Sequence, residues 1–317
     1  MAWRACGAWQ TAKVTQVDEP IETTWRPGYP VDVRRILAPL RHGSADPTFR
    51  SVPSGVWRST RTSQGPVSMF IEPVAEGIRA RAWGSGAAGA IEALPRLLGA
   101  EDDPAGLVTP AGPLRELARR LPGLRFGRTD RVLEALVPAI CEQKVTGEEA
   151  TRAYRCIVLW FGEPAPGPAG LRLQPTPERL ASLAYHQLHP AGLEQRRALT
   201  IRRAALRARW LEAAGSMSPT DAMTRVQGIQ GIGPWTAAEA VRSAFGDADV
   251  VSIGDFHLPN LVSWALAGEP RGDDARMLEL LEPYRGHRGR VVRMLELSGI
   301  RPPRYGPRMP VRSIAAI

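Results

Sequence analysis

The stretch that decides the fold begins at Ser218, ends at Gly246 and reads Ser-Pro-Thr-Asp-Ala-Met-Thr-Arg-Val-Gln-Gly-Ile-Gln-Gly-Ile-Gly-Pro-Trp-Thr-Ala-Ala-Glu-Ala-Val-Arg-Ser-Ala-Phe-Gly. Ser218 followed by Pro219 is typical of a helix start, because serine accepts a hydrogen bond from a free amide and proline suits the first helical position. A second helix is expected to begin at Pro234 and to end at Gly246. The stretch predicts two helices joined by a short glycine-rich turn.

Two glycines in this turn, Gly231 and Gly233, flank Ile232 directly before the second helix. Glycine lets the backbone bend tightly and leaves amide groups bare at the positive end of a helix dipole. Such a place binds an anion, and a phosphate suits it. Ile232 is expected to pack between the two helices.

An aspartate, Asp255, follows nine residues after Gly246 and precedes an apolar run with Pro259 in its first turn. Taken alone, this pattern is typical of a helix N-cap. A carboxylate in such a place also stabilises positive charge that develops during a reaction. The two roles are compatible at one residue.

The remaining sequence predicts an α+β fold. Residues 1–30 are expected to form an irregular arm and residues 31–105 an α/β unit whose antiparallel strands span 48–52, 55–60, 68–72 and 77–83. Residues 106–299 are predicted to be helical, with a surface connection at 161–177, and 300–317 form a tail rich in proline and arginine. Asp130 is expected to cap a helix whose apolar face comprises Leu133, Leu136, Val137 and Ile140.

Charge and composition restrict the class of protein. The net charge is +9. Residues 1–110 carry 12 Lys and Arg against 11 Asp and Glu, whereas residues 111–317 carry 29 against 21. This excess favours a polyanionic partner, although an arginine-rich proteome explains a high pI equally well. The chain contains no apolar run of membrane-spanning length and no secretory leader, which predicts a cytoplasmic protein.

The three cysteines, Cys6, Cys141 and Cys156, are scattered and form no Cys-x-x-Cys pair. This spacing predicts neither a disulfide framework nor a zinc site. The four-cysteine cluster that holds iron and sulfur in some repair enzymes is missing as well. No cofactor is expected on these grounds.

The run Gly-Ile-Gly-Pro-Trp-Thr-Ala, preceded by a capped helix and followed by an alanine-rich one, resembles the helix-hairpin-helix of the DNA glycosylase superfamily. The resemblance implies a partner, double-stranded DNA that contains damaged bases, and a carboxylate, Asp255, that faces a flipped nucleotide. It also implies that the amides of Gly231, Gly233 and Thr236 hold a phosphate. A monovalent cation would be bound by the carbonyls of Gln227, Ile229 and Ile232.

The absence of a lysine from the second hairpin helix indicates which subtype of DNA glycosylase this chain resembles. Superfamily members that also cut the backbone place a lysine on the second hairpin helix, where this chain resembles the 3-methyladenine DNA glycosylase II family in having Trp235. Lys13 and Lys144 are the only lysines and both lie outside the hairpin. The resemblance therefore implies a monofunctional enzyme. An indole face attracts cationic, alkylated purines, but core packing is an alternative role for Trp235.

Further positions are assigned by the same resemblance. Residues 139–146 resemble the central helix of the family, and residues 121–127 resemble the loop that inserts a wedge into DNA, which nominates Leu124 or Phe126; burial in the core is the equal alternative. Glu239 and Phe256 replace tyrosines of the base pocket. His257 matches a histidine that contacts phosphate in 8-oxoguanine glycosylases, but it is equally well an ordinary first-turn residue.

These observations favour a monomeric, monofunctional DNA glycosylase that removes alkylated purines in base excision repair, associated with the nucleoid if the source is bacterial. One alternative is a non-catalytic protein that binds damaged or distorted DNA, because the hairpin and the basic half serve binding alone. The other alternative is a glycosylase for oxidised or deaminated bases. A lysine-dependent lyase step is disfavoured by the scarcity of lysine.

Overall fold

The computed structural model describes residues 19–109, 113–303 and 311. The expected α+β class is confirmed by a five-stranded antiparallel sheet and a larger set of helices. The strands are β1 (Ile21–Trp25), β2 (Phe49–Val52), β3 (Gly55–Thr62), β4 (Gly65–Val74), β5 (Gly77–Trp83), β6 (Glu163–Pro164) and β7 (Arg172–Leu173).

The helices of the first half are α1 (Val33–Leu37), α2 (Ala87–Glu92), α3 (Leu94–Leu97), α4 (Pro113–Arg120), α5 (Val132–Cys141) and α6 (Gly147–Phe161). Those of the second half are α7 (Pro177–Ser182), α8 (Tyr185–Leu188), α9 (Gln195–Leu206), α10 (Ala208–Glu212), α11 (Pro219–Gln227), α12 (Pro234–Phe245), α13 (Leu258–Ala267), α14 (Asp274–Leu281) and α15 (Arg288–Ser298). Within the described residues, no helix is both long and apolar enough to cross a bilayer.

The strand order of the large sheet is β1-β5-β4-β3-β2. Strand β1 lies inside the segment that was predicted to be irregular and pairs with β5, with Ile21 opposite Ala82 and Trp25 opposite Ile78. Its residues are exposed or only partly buried. An edge strand that buries neither face lacks the alternating apolar pattern by which strands are recognised, and this explains the error.

The central strands β3 to β5 supply the apolar face of the sheet. Val56, Met69, Ile71 and Ala80 are buried there together with residues of α1 and α2. After the last strand, the chain forms the two short helices α2 and α3, and Pro95 stands in the first turn of α3, where a proline is tolerated. Sheet and helices thus form a two-layer unit with its own core.

Helix α5 lies in the core of the helical part, and its predicted apolar face is buried. Its start differs from the prediction. Asp130 has a φ of 55° and forms ion pairs with Arg128 and Arg96, and it does not cap the helix. The carboxylate of Glu212, from α10, instead accepts hydrogen bonds from the amides of Val132 and Leu133, both at 3.0 Å. A tertiary contact has replaced the local cap.

The connection predicted at 161–177 contains the short β6–β7 hairpin, and the amide of Arg172 donates to the carbonyl of Pro47 at 2.8 Å. Further along the predicted helical part, the chain breaks at Arg207 between α9 and α10. Of the predicted tail, residues 304–310 and 312–317 lie outside the described residues.

The sheet unit and the helices are joined through buried charges. Arg58 on β3 forms an ion pair with Glu134 on α5 at 2.5 Å. Arg290 on α15 pairs with Asp102, and both side chains are almost fully buried. Because Arg58 and both members of the Arg290–Asp102 pair are shielded from solvent, breaking either contact would leave a buried charge without compensation. These two ion pairs connect the sheet unit to the helical part of the chain.

Candidate active site

The predicted hairpin is present. Helix α11 starts after Ser218, whose hydroxyl accepts a hydrogen bond from the Asp221 amide at 3.2 Å, and α12 ends at Gly246 in the left-handed conformation. In the turn between them, Gly231 has a φ of +100°. A Cβ at this position would lie 2.1 Å from Thr200 Oγ1, so both the backbone conformation and the available space require glycine.

A glutamine from the end of α5 fixes the turn. The side-chain amide of Gln143 donates to the carbonyl of Gly231 at 3.0 Å and to Thr236 Oγ1 at 2.9 Å. The Thr236 side chain is buried and occupied by this contact, so only its backbone amide is suited to the predicted phosphate contact. Gly233 is exposed, and a Cβ there would meet nothing within 4 Å. The first-turn amides of α12 have no partner within the helix, which is the arrangement that an anion requires.

The predicted cation ligands also lie in this turn. The carbonyl of Ile229 accepts a hydrogen bond from the Ile232 amide at 3.0 Å, and each carbonyl oxygen has a second lone pair. Gln227 is exposed at the end of α11. Ile232 buries its side chain as expected, and Ile229 is buried as well. A set of neutral carbonyl oxygens suits a hard cation. Among the described residues, no cluster of His, Cys, Asp or Glu with metal-binding geometry occurs.

Asp255 is held by three hydrogen bonds. Its Oδ1 accepts from the amides of His257 at 2.7 Å and Leu258 at 2.9 Å, as a carboxylate does at a helix start. Its Oδ2 accepts from the indole Nε1 of Trp235 on α12, at 3.0 Å. The structure therefore brings the predicted carboxylate and the predicted pocket tryptophan into direct contact. Asp255 and Trp235 are both partly buried.

Glu239 lies one turn after Trp235 on α12 and is tied to its surroundings. Ser252 donates to Glu239 Oε1 at 2.5 Å, and Arg242 forms a short ion pair with the other carboxylate oxygen. This pairing holds the Glu239 side chain in place and offsets its charge. Unlike a tyrosine at this position, Glu239 carries a charge, and that charge is paired with the guanidinium of Arg242.

A cavity of about 410 Å³ lies beside α12, between the sheet unit and the helices. Its volume is within the range of small-molecule pockets. Glu239 lines it, but Asp255, Trp235 and Phe256 do not. Its charged lining residues are Arg41, Arg58, Glu134, Glu142, Glu239, Arg242, Arg293 and Glu296. The cavity is thus lined by four arginines and four glutamates.

Glu142, at the end of α5, is the titratable group in this cavity with the largest consequence for chemistry. Burial raises the pKa of Glu142 to about 7, the charges of Glu239 and Asp255 act in the same direction, and Arg242 acts against them. The negative charges of Glu239 and Asp255 are therefore near enough to act on the Glu142 carboxyl group. A carboxyl group of this kind exchanges its proton near neutral pH.

Three predicted residues are placed differently from the expectation. Phe256 is 84% exposed and does not line the cavity, and its ring lies edge-on to His257 at 4.9 Å between centroids. Leu124 and Phe126 are 6% and 9% exposed. Their burial disagrees with a wedge role, because a wedge must project from the surface.

Each of the two wedge candidates is held in the protein interior. Leu124 belongs to the cluster that includes Leu258 and Val262. The guanidinium of Arg290 lies over the Phe126 ring, 5.1 Å from its centroid. The alternative of core packing describes both residues.

Sequence reasoning assigned no role to Glu142, Gln143 or Arg242. A signal for the first two was present, because Glu142-Gln143-Lys144 is a polar run directly after an otherwise apolar helix. No local signal singles out Arg242 from the other arginines of the chain. Its position is defined by its contact with Glu239.

Comparison of the sequence with protein-family models and with curated proteins finds no match. Solved structures do match. The 3-methyladenine DNA glycosylase from Archaeoglobus fulgidus has a TM-score of 0.71 and 19% identity, over 88% of this chain and 98% of that one. MBOgg1 in complex with a low-affinity DNA ligand has a TM-score of 0.67 and 14% identity, over 90% and 96% of the chains.

The 8-oxoguanine glycosylase/lyase from Clostridium acetobutylicum is also similar, with a TM-score of 0.66 and 11% identity over 90% of this chain and all 100% of that one. Each of these matches extends over nearly the whole of both chains, so it includes the sheet unit as well as the hairpin. At these identities the likeness concerns the backbone arrangement. The chain has the fold of the helix-hairpin-helix DNA glycosylases.

Proposed function

We propose that this protein is a monofunctional DNA glycosylase that hydrolyses the N-glycosidic bond of damaged purines, with alkylated purines as the first class of substrate. The observation that carries the proposal is the contact between Asp255 and Trp235, in the first turn of α12 directly after the hairpin turn. The hairpin amides would hold a DNA phosphate and bring the damaged nucleotide to the carboxylate. The similar folds of solved DNA glycosylases support the proposal.

The chemistry assigned to Asp255 follows from its fixed orientation. Cleavage of the C1′–N bond leaves positive charge on the sugar, and a preorganised carboxylate stabilises that charge without having to reorient. The hydrogen bonds from His257, Leu258 and Trp235 hold both carboxylate oxygens. Asp255 also accepts a proton from the water that adds to C1′, and the product is an abasic site.

The hairpin supplies binding and not chemistry. The amides of Gly231, Gly233 and Thr236 would hold one phosphate, and a monovalent cation on the carbonyls of Gln227, Ile229 and Ile232 would add positive charge at the same place. His257, exposed beside Asp255, is suited to a neighbouring phosphate. Because these contacts involve the DNA backbone, they confer affinity without selecting a base.

The absence of a lysine on α12 supports hydrolysis without a lyase step. Trp235 occupies the position that would be required, and its indole nitrogen donates to Asp255. No residue on α12 carries a primary amine. A Schiff base with the sugar therefore has no candidate nucleophile on this helix.

The test is an excision assay with purified full-length protein on duplexes that each contain one defined lesion. We expect release of a methylated purine and an abasic strand that remains uncut until alkali is added. Treatment with borohydride is expected to trap no covalent adduct. Salt-sensitive binding without release of any base would instead identify a DNA-binding protein, and a trapped adduct would identify a lyase.

A further inference from the structure

The carboxyl group of Glu142 lines the cavity without a partner. Among the described residues, no hydrogen bond or ion pair to its side chain is found, and only burial and nearby charges affect its pKa. The other three glutamates of the cavity are all paired. Glu134 bonds Arg58, Glu239 bonds Arg242, and Glu296 bonds Arg293.

The position of Glu142 is fixed by its neighbour. Gln143 is bonded to both the hairpin turn and the first turn of α12. The backbone of Glu142 is also fixed, because its amide donates to the carbonyl of Pro138 at 3.1 Å. The free carboxyl group is therefore held at the inner wall of the cavity, close to the charges of Glu239 and Asp255.

The remaining lining does not select for positive charge. Four arginines and four glutamates offset one another, and His42 and Tyr154 are the only aromatic side chains in the lining of this cavity within the described part of the chain. An acidic or aromatic box would favour a cationic base. A mixed lining that is rich in donors and acceptors fits a neutral base with polar edges.

We propose that Glu142 is the general acid that protonates the departing base, so that the enzyme also excises neutral damaged bases and not only cationic alkylated purines. This inference rests on the proposed glycosylase function. Cationic purines leave without a proton, whereas a neutral base leaves as an unstable anion unless a proton is supplied. Glu142 and Asp255 then form a pair of carboxyl groups with divided roles.

The Glu142 carboxyl proton moves to a ring nitrogen or oxygen of the base while the C1′–N bond breaks and its electron pair stays with the base. Asp255 stabilises the cationic sugar. Water adds to C1′ and gives its proton to Asp255. Asp255 then releases that proton to solvent, and solvent returns a proton to Glu142. The products are the neutral free base and an abasic site.

Charged groups that face Glu142 determine its pH response. Glu239 and Asp255 favour the protonated form, and Arg242 favours the ionised form. The remaining titratable groups of the lining are Arg41, His42, Arg58, Glu134, Tyr154, Arg293 and Glu296. The pKa of His42 is lowered to about 4 by burial, so His42 is neutral where Glu142 titrates.

The test compares single-turnover excision from two sets of duplexes, one with the cationic base 7-methylguanine and the other with the neutral bases hypoxanthine, 8-oxoguanine or ethenoadenine. For the wild type, we expect neutral-base excision to fall as pH rises above about 7. For Glu142→Gln, we expect excision of the neutral base to fall about 100-fold and this pH dependence to vanish, while 7-methylguanine is released at close to the wild-type rate. The matched control is Glu296→Gln, which changes a paired glutamate of the same cavity.

The outcomes separate the two proposals. If Glu142→Gln excises the neutral base at the wild-type rate and with the wild-type pH profile, the general-acid role is wrong. Release of 7-methylguanine by the wild type without release of any neutral base also overturns this inference, but it leaves the glycosylase function intact. If the wild type releases no base from any of the duplexes, the glycosylase function itself fails.

Discussion

The hairpin and the cavity share helix α12 but are built in different ways. The hairpin is one continuous segment, and it presents backbone groups at Gly231 and Gly233. The cavity is assembled from side chains of five elements that are distant in sequence, among them β3, α5 and α15. If the proposed function is correct, affinity for a nucleic-acid backbone is encoded locally, whereas base selection depends on tertiary placement.

The largest expected effect on base excision is that of a substitution at Asp255, which is hydrogen-bonded to Trp235 on the helix that the two regions share. Asp255→Asn keeps the shape of the side chain but removes its charge, so base excision is expected to fall by at least about 1000-fold. Binding to a duplex with an abasic analogue is expected to remain, because the hairpin is unchanged. Single-turnover excision and a binding titration measure the two effects. An Asn variant that excises at the wild-type rate would show that Asp255 serves only as a helix cap.

The next effect tests the hairpin. Gly231→Ala forces a side chain into the left-handed region and against Thr200, which is fully buried. The free energy of unfolding is expected to fall by about 2–4 kcal/mol, measured by urea denaturation.

The matched control for Gly231 is Gly233→Ala, where the added Cβ meets open space. This change is expected to alter stability by less than about 1 kcal/mol and to weaken DNA binding, because the methyl group stands where the phosphate would approach. Equal stability losses in the two variants would contradict the geometry of the turn.

A third prediction tests the cavity through stability. The pKa of Glu142 is raised from 4.5 to about 7 in the folded state, so between these pH values the unfolded chain loses a proton that the folded protein keeps. The wild type therefore becomes less stable as pH rises from 4.5 to 7. Glu142→Gln removes this penalty. Its free energy of unfolding is expected to exceed that of the wild type by about 3 kcal/mol at pH 8, relative to the difference at pH 4.

The readout for this third prediction is chemical denaturation at both pH values. A difference between variant and wild type that is the same at pH 4 and pH 8 would show that Glu142 has an ordinary pKa. Higher stability combined with slower excision of neutral bases would be typical of a functional residue that is held at a cost to folding.

The smallest effect tests the helix that carries both Glu142 and Gln143. Glu212→Ala removes two hydrogen bonds to the start of α5, and the free energy of unfolding is expected to fall by about 1–2 kcal/mol. Asp130→Asn, the change at the residue that local sequence nominated as the cap, is expected to cost less than about 1 kcal/mol. If the order of the two losses is reversed in thermal or urea denaturation, Asp130 is the cap after all.

Most of the helical part was predictable because its signals are local. Ser218, Gly231 and Gly246 each mark a backbone event within a few residues, and the buried face of α5 follows a helical period. Strand β1 was missed because an exposed edge strand has no apolar period. The wedge assignment for Leu124 and Phe126 failed because exposure depends on what packs against a loop.

The residues of the candidate site also differ in whether a local sequence signal or only the tertiary structure identifies them. Asp255 and Trp235 were assigned from sequence, and the hydrogen bond between them follows from the return of the chain to α12. Glu142 was visible only as a polar residue at a helix end. Its partial protonation near neutral pH arises from burial and from Glu239 and Asp255, which are about 100 residues away in the chain.

Local sequence was sufficient to predict the hairpin, its glycines and the helix start at Asp255, because these depend on backbone conformations and hydrogen bonds within single turns. The folded arrangement was needed to know which carboxyl groups share a cavity, which arginine is paired with which glutamate, and what caps α5. Desolvation and charge interactions act through space. They depend on distances between elements, and no local pattern of residues records those distances.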